Sequence, residues 1–137
     1  MKIFFGLILA TTTNFFLGLL GFYIASNFGI LSYSPYSQGL DITLLDYLTS
    51  FSLKFLVILI LAWIMYRVIT TLDAPKKRVL FIFLLGLCFS IYNQINIFWS
   101  ENSFIWSLII IGSESFNWLI TGYVLSKFIK PKHLGAF

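Results

Sequence analysis

Residues 104–128, FIWSLIIIGSESFNWLITGYVLSKF, form an apolar run long enough to cross a lipid bilayer, with one carboxylate, Glu114, near its middle. Steps of three and four from Ser103 reach Ser107, Ile110, Glu114, Asn117 and Thr121, which places them on one stripe of a helix. The most polar side chains of its interior, Glu114 and Asn117, lie on that stripe with Ser107 and Thr121. Such a helix cannot turn all its faces to lipid, so the remainder of the chain has to supply a partner surface. The eleven Leu, Ile, Val and Phe residues between Phe104 and Leu125 favour insertion by roughly 3–7 kcal/mol in sum, against about 3 kcal/mol for a central acid. Insertion wins, and Glu114 remains the costliest group to bury.

The same reading extends to the whole chain. Its 137 residues are 59% hydrophobic and only 10% charged, with a mean hydropathy of +0.93, so a soluble domain of this size would lack a polar surface. The expected fold is all-α: a polytopic membrane protein forming one four-transmembrane-helix bundle, with spans at about 3–25, 51–71, 79–99 and 104–128 and a basic tail over 129–137. The first apolar segment is longer than a signal-peptide core and has no clear small-x-small cleavage site, so it is expected to be retained.

Between the first two spans lies an external loop, residues 26–50, in which Tyr33, Pro35, Tyr36, Gln38 and Gly39 mark irregular structure. Asp41 is suited to cap a short helix with Leu44, Leu45, Leu48 and Phe51 on one face, lying in the membrane interface before the second span begins. That break is the expectation. One uninterrupted helix is the alternative.

Two further spans carry stripes like that of the fourth. In the first, Thr11, Asn14, Gly18, Gly21 and Ala25 recur at helical spacing; in the third, Gly86, Ser90, Asn93, Ile97 and Ser100 do so. Gly18, Gly21, Ala25 and Gly86 are candidate helix-packing positions, because small residues let backbones approach closely. At a rise of ~1.5 Å per residue, Asn14, Ser90, Asn93, Glu114 and Asn117 all fall ~16–21 Å from the same membrane face. The first, third and fourth helices are therefore expected to converge on a polar midplane cluster of these residues, with the second helix packed outside.

Charge placement sets the expected orientation. Lys2, Arg67, Lys76, Lys77, Arg78, Lys127, Lys130 and Lys132 share one side of a four-span chain, leaving Lys54 with Asp41, Asp46 and Glu101 on the other. The excess of cations puts both termini in the cytoplasm, with Lys76, Lys77, Arg78, Lys127, Lys130 and Lys132 forming a basic patch, and the compact size fits a bacterial inner membrane. The net charge of +4 is explained by this orientation, without a nucleic-acid partner. Trp99 and Trp106 flank the last connection as interfacial anchors do.

Little in the sequence points to covalent chemistry. Cys88 is the single cysteine and His133 the single histidine, so no intramolecular disulfide, CxxC redox pair or His pair for axial ligation can form, and no metal or cofactor is expected. Ser113-Glu114-Ser115 has no base or oxyanion loop around it in any recognisable arrangement, and no catalytic residue is assigned. The leading expectation is a non-enzymatic membrane protein that acts by helix–helix contact with a membrane-protein partner, as an accessory or assembly subunit or as an immunity-type protein against a membrane-active toxin. The alternative is a small homo-oligomeric proton-coupled transporter or channel that uses Glu114. Under either, a reporter enzyme that works only outside the cytoplasm is expected to stay silent when fused after residue 137; an active fusion overturns the orientation.

Overall fold

The computed structural model describes residues 2–27, 43–98 and 104–131. The protein is all-helical, with α1 Lys2–Asn27, α2 Leu44–Arg67, α3 Pro75–Phe98 and α4 Phe104–Phe128. Three stretches are long and apolar enough to cross a membrane: Lys2–Gly21, Leu44–Arg67 and Ser107–Phe128. Over the described residues, α3 is not one of them.

The expected break before the second span is absent. Thr43 caps α2, its hydroxyl accepting from the Asp46 N–H at 3.4 Å while Asp46 Oδ2 accepts from the Thr43 N–H at 2.8 Å. This reciprocal box satisfies two donors that a helix start leaves open. From there the helix continues without Gly or Pro to Arg67, and Ser52 returns its hydroxyl to the Leu48 carbonyl at 2.8 Å, so the polar run Thr49-Ser50-Phe51-Ser52 does not interrupt it. Residues 44–50 are thus the first turns of α2 and not a separate interfacial helix; Asp41 lies outside the described residues.

A short turn joins α2 to α3. Pro75 opens α3, a position where the missing N–H is no loss. Arg78 is buried and donates from Nη1 to the carbonyls of Leu72 and Asp73, both at 2.8 Å, fixing the turn from inside. Lys77 pairs with Asp73 at 2.7 Å on the outside. That pairing, with the Ala74 N–H, holds the Asp73 carboxyl below the usual carboxylate range. The contribution is complete above the ordinary carboxylate pKa and is lost as pH falls through the lowered one.

α3 and α4 pack as a close antiparallel hairpin, α4 also runs along α1, and α1 runs along α2; contact between α2 and α3 is slight. Phe5 of α1 meets Phe128 of α4 edge-on at 5.9 Å, so the start of the chain, the ends of α2 and α4 and the start of α3 gather at one pole. The apolar core lies in this half: Leu7 and Ala10, Ile58, Leu61, Ala62 and Met65, Ile82, and Leu125 with Ile129. Large apolar side chains also cover the exterior, among them Phe4, Phe16, Leu56, Trp63, Leu80 and Phe116.

The hairpin seam depends on two glycines. A Cβ at Gly122 would stand 2.9 Å from the Val79 carbonyl oxygen and 3.2 Å from Ile82 Cβ, and one at Gly86 would overlap the Trp118 side chain. By contrast nothing lies within 4 Å of a Cβ at Gly112. Gly122→Ala is therefore expected to destabilise the protein by about 1–3 kcal/mol. Gly112→Ala should be neutral or gain up to about 1 kcal/mol from helix propensity. Chemical denaturation in detergent read by circular dichroism checks the pair, and equal stability of both variants would contradict the seam.

Candidate functional site

Beyond the apolar core, toward the opposite pole, all four helices border a half-open cavity of about 280 Å³. It is lined by Asn14 of α1, Lys54 of α2, Ser90 and Asn93 of α3, and Glu114 and Asn117 of α4, with Leu53, Val57, Ile58, Phe89 and Trp118 as its apolar walls. Each polar residue of the expected midplane cluster borders this one space. Asn14 and Ser90 are buried, Glu114 and Asn117 are partly exposed, and Asn93 is exposed at the rim.

The residue that sequence reasoning missed is Lys54. Counting the second span from Phe51 puts this lysine at a membrane surface; because α2 begins at Leu44, it stands ten residues, about 15 Å, into the helix. Its Nζ donates to Asn14 Oδ1 at 3.2 Å. Asn14 Nδ2 in turn donates to Thr121 Oγ1 at 2.9 Å, and that hydroxyl donates to the Asn117 carbonyl at 2.7 Å. A polar chain thus runs from α2 through α1 into α4. The expectation that α2 packs outside the cluster is corrected accordingly: it contributes a wall of the cavity and the only cation among its lining residues.

Room for that cation comes from Gly18, where a Cβ would sit 2.8 Å from Lys54 Nζ. Gly18 therefore clears space for a charge. Gly86 receives Trp118 as described, Gly21 has no neighbour within 4 Å of a Cβ, and the Ala25 side chain lies outside the described residues. Among the described residues, therefore, nothing packs against the Cβ position of Gly21.

Glu114 faces the same cavity and attracts Lys54 electrostatically. The two do not close to an ion pair, since the one pair within 4.0 Å among the described residues is Lys77–Asp73. Neither Glu114 oxygen accepts a hydrogen bond there, while Ser113 and Ser115 donate to their own helix at Ile110 and Ile111. Both serine hydroxyls are thereby tied to the backbone of α4. At the far end of the hairpin, Gln94 Oε1 and Ser107 Oγ are buried without hydrogen-bond partners among the described residues.

Comparison with protein families, with characterised proteins and with solved structures finds no match.

The expected basic patch is divided by its hydrogen bonds. Arg78 is buried in the turn and Lys77 is paired, while Lys76, Lys127 and Lys130 remain exposed, Lys127 lying over the Tyr123 ring at 4.8 Å. Lys132 lies outside the described residues. A second hollow at this pole, about 250 Å³, is bounded by Ile3, Leu7, Leu59, Ala62, Trp63, Tyr66 and Ile129 and presents almost no polar surface. Among the described residues no group of three or more His, Cys, Asp and Glu side chains is placed to hold a metal.

Removing Asn14 strips Lys54 of its acceptor and Thr121 of its donor. Asn14→Leu is expected to cost about 1–3 kcal/mol, the range for a hydrogen bond to a charged group. In a Lys54→Met background the penalty should shrink by about half or more, because the charge that needed the amide is gone. A double-mutant cycle from denaturation midpoints reads the coupling, and strict additivity would show that the contact carries no energy.

Proposed function

We propose that this chain is a four-span integral membrane protein whose polar cavity binds a small charged or strongly polar solute and gives it a path across, or a station within, the membrane. The observation that carries the proposal is the meeting of Lys54 and Glu114, from different helices, at one cavity without closing on each other. Each ionisable group near the centre of a span costs about 2.5–3.5 kcal/mol to insert, and such groups characteristically mark substrate or ion pathways. Structural adhesion alone calls for direct contact, not for a cavity between the charges. No bond-making chemistry is part of this reading.

Three apolar helices support membrane residence directly. We take α3 as the fourth span, since its antiparallel seam with α4 carries it through the same layer. The cations Lys2, Arg67, Lys76, Lys127 and Lys130 at one pole favour cytoplasmic termini in a bacterial inner membrane, with the cavity reached from the other side. Exposed Asn93 would then stand at its mouth.

A second reading is favoured by a different observation: Gly21 and Gly112 leave open backbone on the exterior. Small residues facing outward admit a partner helix at close range. An accessory subunit, an immunity-type protein or a homo-oligomer would use that surface, and the two readings are compatible.

Water access separates a solute site from mere helix adhesion. In a Cys88→Ala background in native membranes, Asn93→Cys is expected to react with a charged, membrane-impermeant thiol reagent, whereas Phe116→Cys on the apolar exterior is not. Protection of both positions would remove the solute reading and leave helix contact as the role of the polar residues.

A further inference from the structure

The chemistry of the cavity walls narrows the solute class, an argument that rests on the solute-binding reading above. The Lys54 ammonium has three donors and, among the described residues, one acceptor, Asn14 Oδ1. Glu114 has acceptor capacity with no donor among those residues. A bound anion would satisfy the first group and leave the second unpaired; a bound cation would do the reverse. Either would leave a net charge in an apolar bundle, which is expensive.

One molecule carrying both an oxyanion and an ammonium satisfies both walls at no change in net charge. The surroundings are divided to suit it. Around Lys54 stand Asn14, which already bonds it, and Gly18, which leaves space beside its Nζ. Glu114, Asn117 and Trp118 follow one another at i, i+3 and i+4 on α4, so a carboxylate, a carboxamide and an indole share one face toward the cavity. A carboxylate beside an aromatic wall is a setting that favours an ammonium. Leu53, Val57 and Ile58 complete an apolar side. The cavity, about 280 Å³, sits near the ~300 Å³ lower bound of small-molecule sites, which excludes a bulky ligand.

We infer that the cavity binds a small zwitterion, with its oxyanion at Lys54 and Asn14, its ammonium at Glu114 and Asn117, and a short apolar substituent against Leu53, Val57 and Ile58. Two sources offer this chemistry: a free neutral amino acid with a small side chain, and the phosphoethanolamine headgroup of a membrane lipid.

The test uses the full chain in nanodiscs of phosphatidylglycerol, which present no zwitterionic headgroup, with thermal unfolding as the readout. Alanine is expected to raise the melting temperature saturably, while acetate, ethylammonium and sodium chloride at equal concentration do not. Glu114→Gln should weaken the alanine response about tenfold or more, the scale of one charge-assisted hydrogen bond. Lys54→Met should do the same; where that variant fails to fold, Gly18→Ala serves, because its methyl displaces the ammonium without removing it. Stabilisation by phosphatidylethanolamine mixed into the discs, with none by alanine, supports the same two-charge recognition and assigns it to the lipid. An equal response to acetate or chloride overturns the zwitterion and leaves the solute cavity standing. No response to any probe overturns it as well, and labelling of Asn93→Cys then decides whether the cavity itself survives.

Discussion

An ammonium group half-buried in an apolar helical bundle calls for acceptors from the neighbouring helices, since apolar side chains offer none. Lys54 imposes that requirement here, and neighbouring features answer it. Asn14 is turned inward from α1, Thr121 takes the amide that Asn14 has left over, and the Thr121 hydroxyl is returned to the α4 backbone. Gly18 keeps the space beside the charge open. Glu114 adds an opposite charge at longer range. At an effective dielectric near 20, unit charges 4 Å apart attract by about 4 kcal/mol, and beyond that separation the attraction weakens. Asn14 holds the ammonium by direct contact, while the Glu114 carboxylate, which accepts no hydrogen bond among the described residues, keeps its acceptor capacity.

The bundle divides its labour along its length. Near the cationic pole, Ile58, Leu61, Met65, Ile82 and Leu125 are fully or almost fully buried and form continuous apolar packing. There, Arg78 ties the turn between α2 and α3 to carbonyl oxygens. Toward the other pole, apolar packing gives way to the cavity. Its rim residues Leu53, Phe89 and Asn93 come from α2 and α3, the neighbouring pair that makes the least contact. The glycine seam between α3 and α4 instead locks those helices together at Gly86 and Gly122. The cavity thus opens where α2 and α3 make slight contact, beside a hairpin that is closely packed.

Much of the fold was legible from amphipathic spacing. The stripe Ser107, Asn117, Thr121 in α4 and its counterpart Thr11, Asn14 in α1 are the inward faces of their helices, with Thr11, Ser107 and Thr121 completely buried. Polar side chains on a predominantly apolar helix have few places to go, so their spacing reveals the face that turns inward. Ser90 and Gly86 follow the same logic in α3. Gly21 keeps its place on the stripe, yet among the described residues nothing stands within 4 Å of a Cβ there. Likewise Arg78 belongs by sequence to a run of cations, yet its guanidinium turns inward to serve the preceding turn.

The chain alone determined which segments are helical and which faces of α1, α3 and α4 are polar, because periodicity and transfer energy act residue by residue along one helix. It left the start of α2 ambiguous by about two turns, since Thr49, Ser50 and Ser52 read equally well as a break or as side chains bonded back to their own helix. That offset moved Lys54 from a presumed surface into the interior. Its partners, Asn14 forty residues before it and Glu114 sixty after, come together only through packing. Whether a lone lysine in an apolar run reaches outward to water or inward to an amide depends on which helix stands opposite, and no local pattern carries that information.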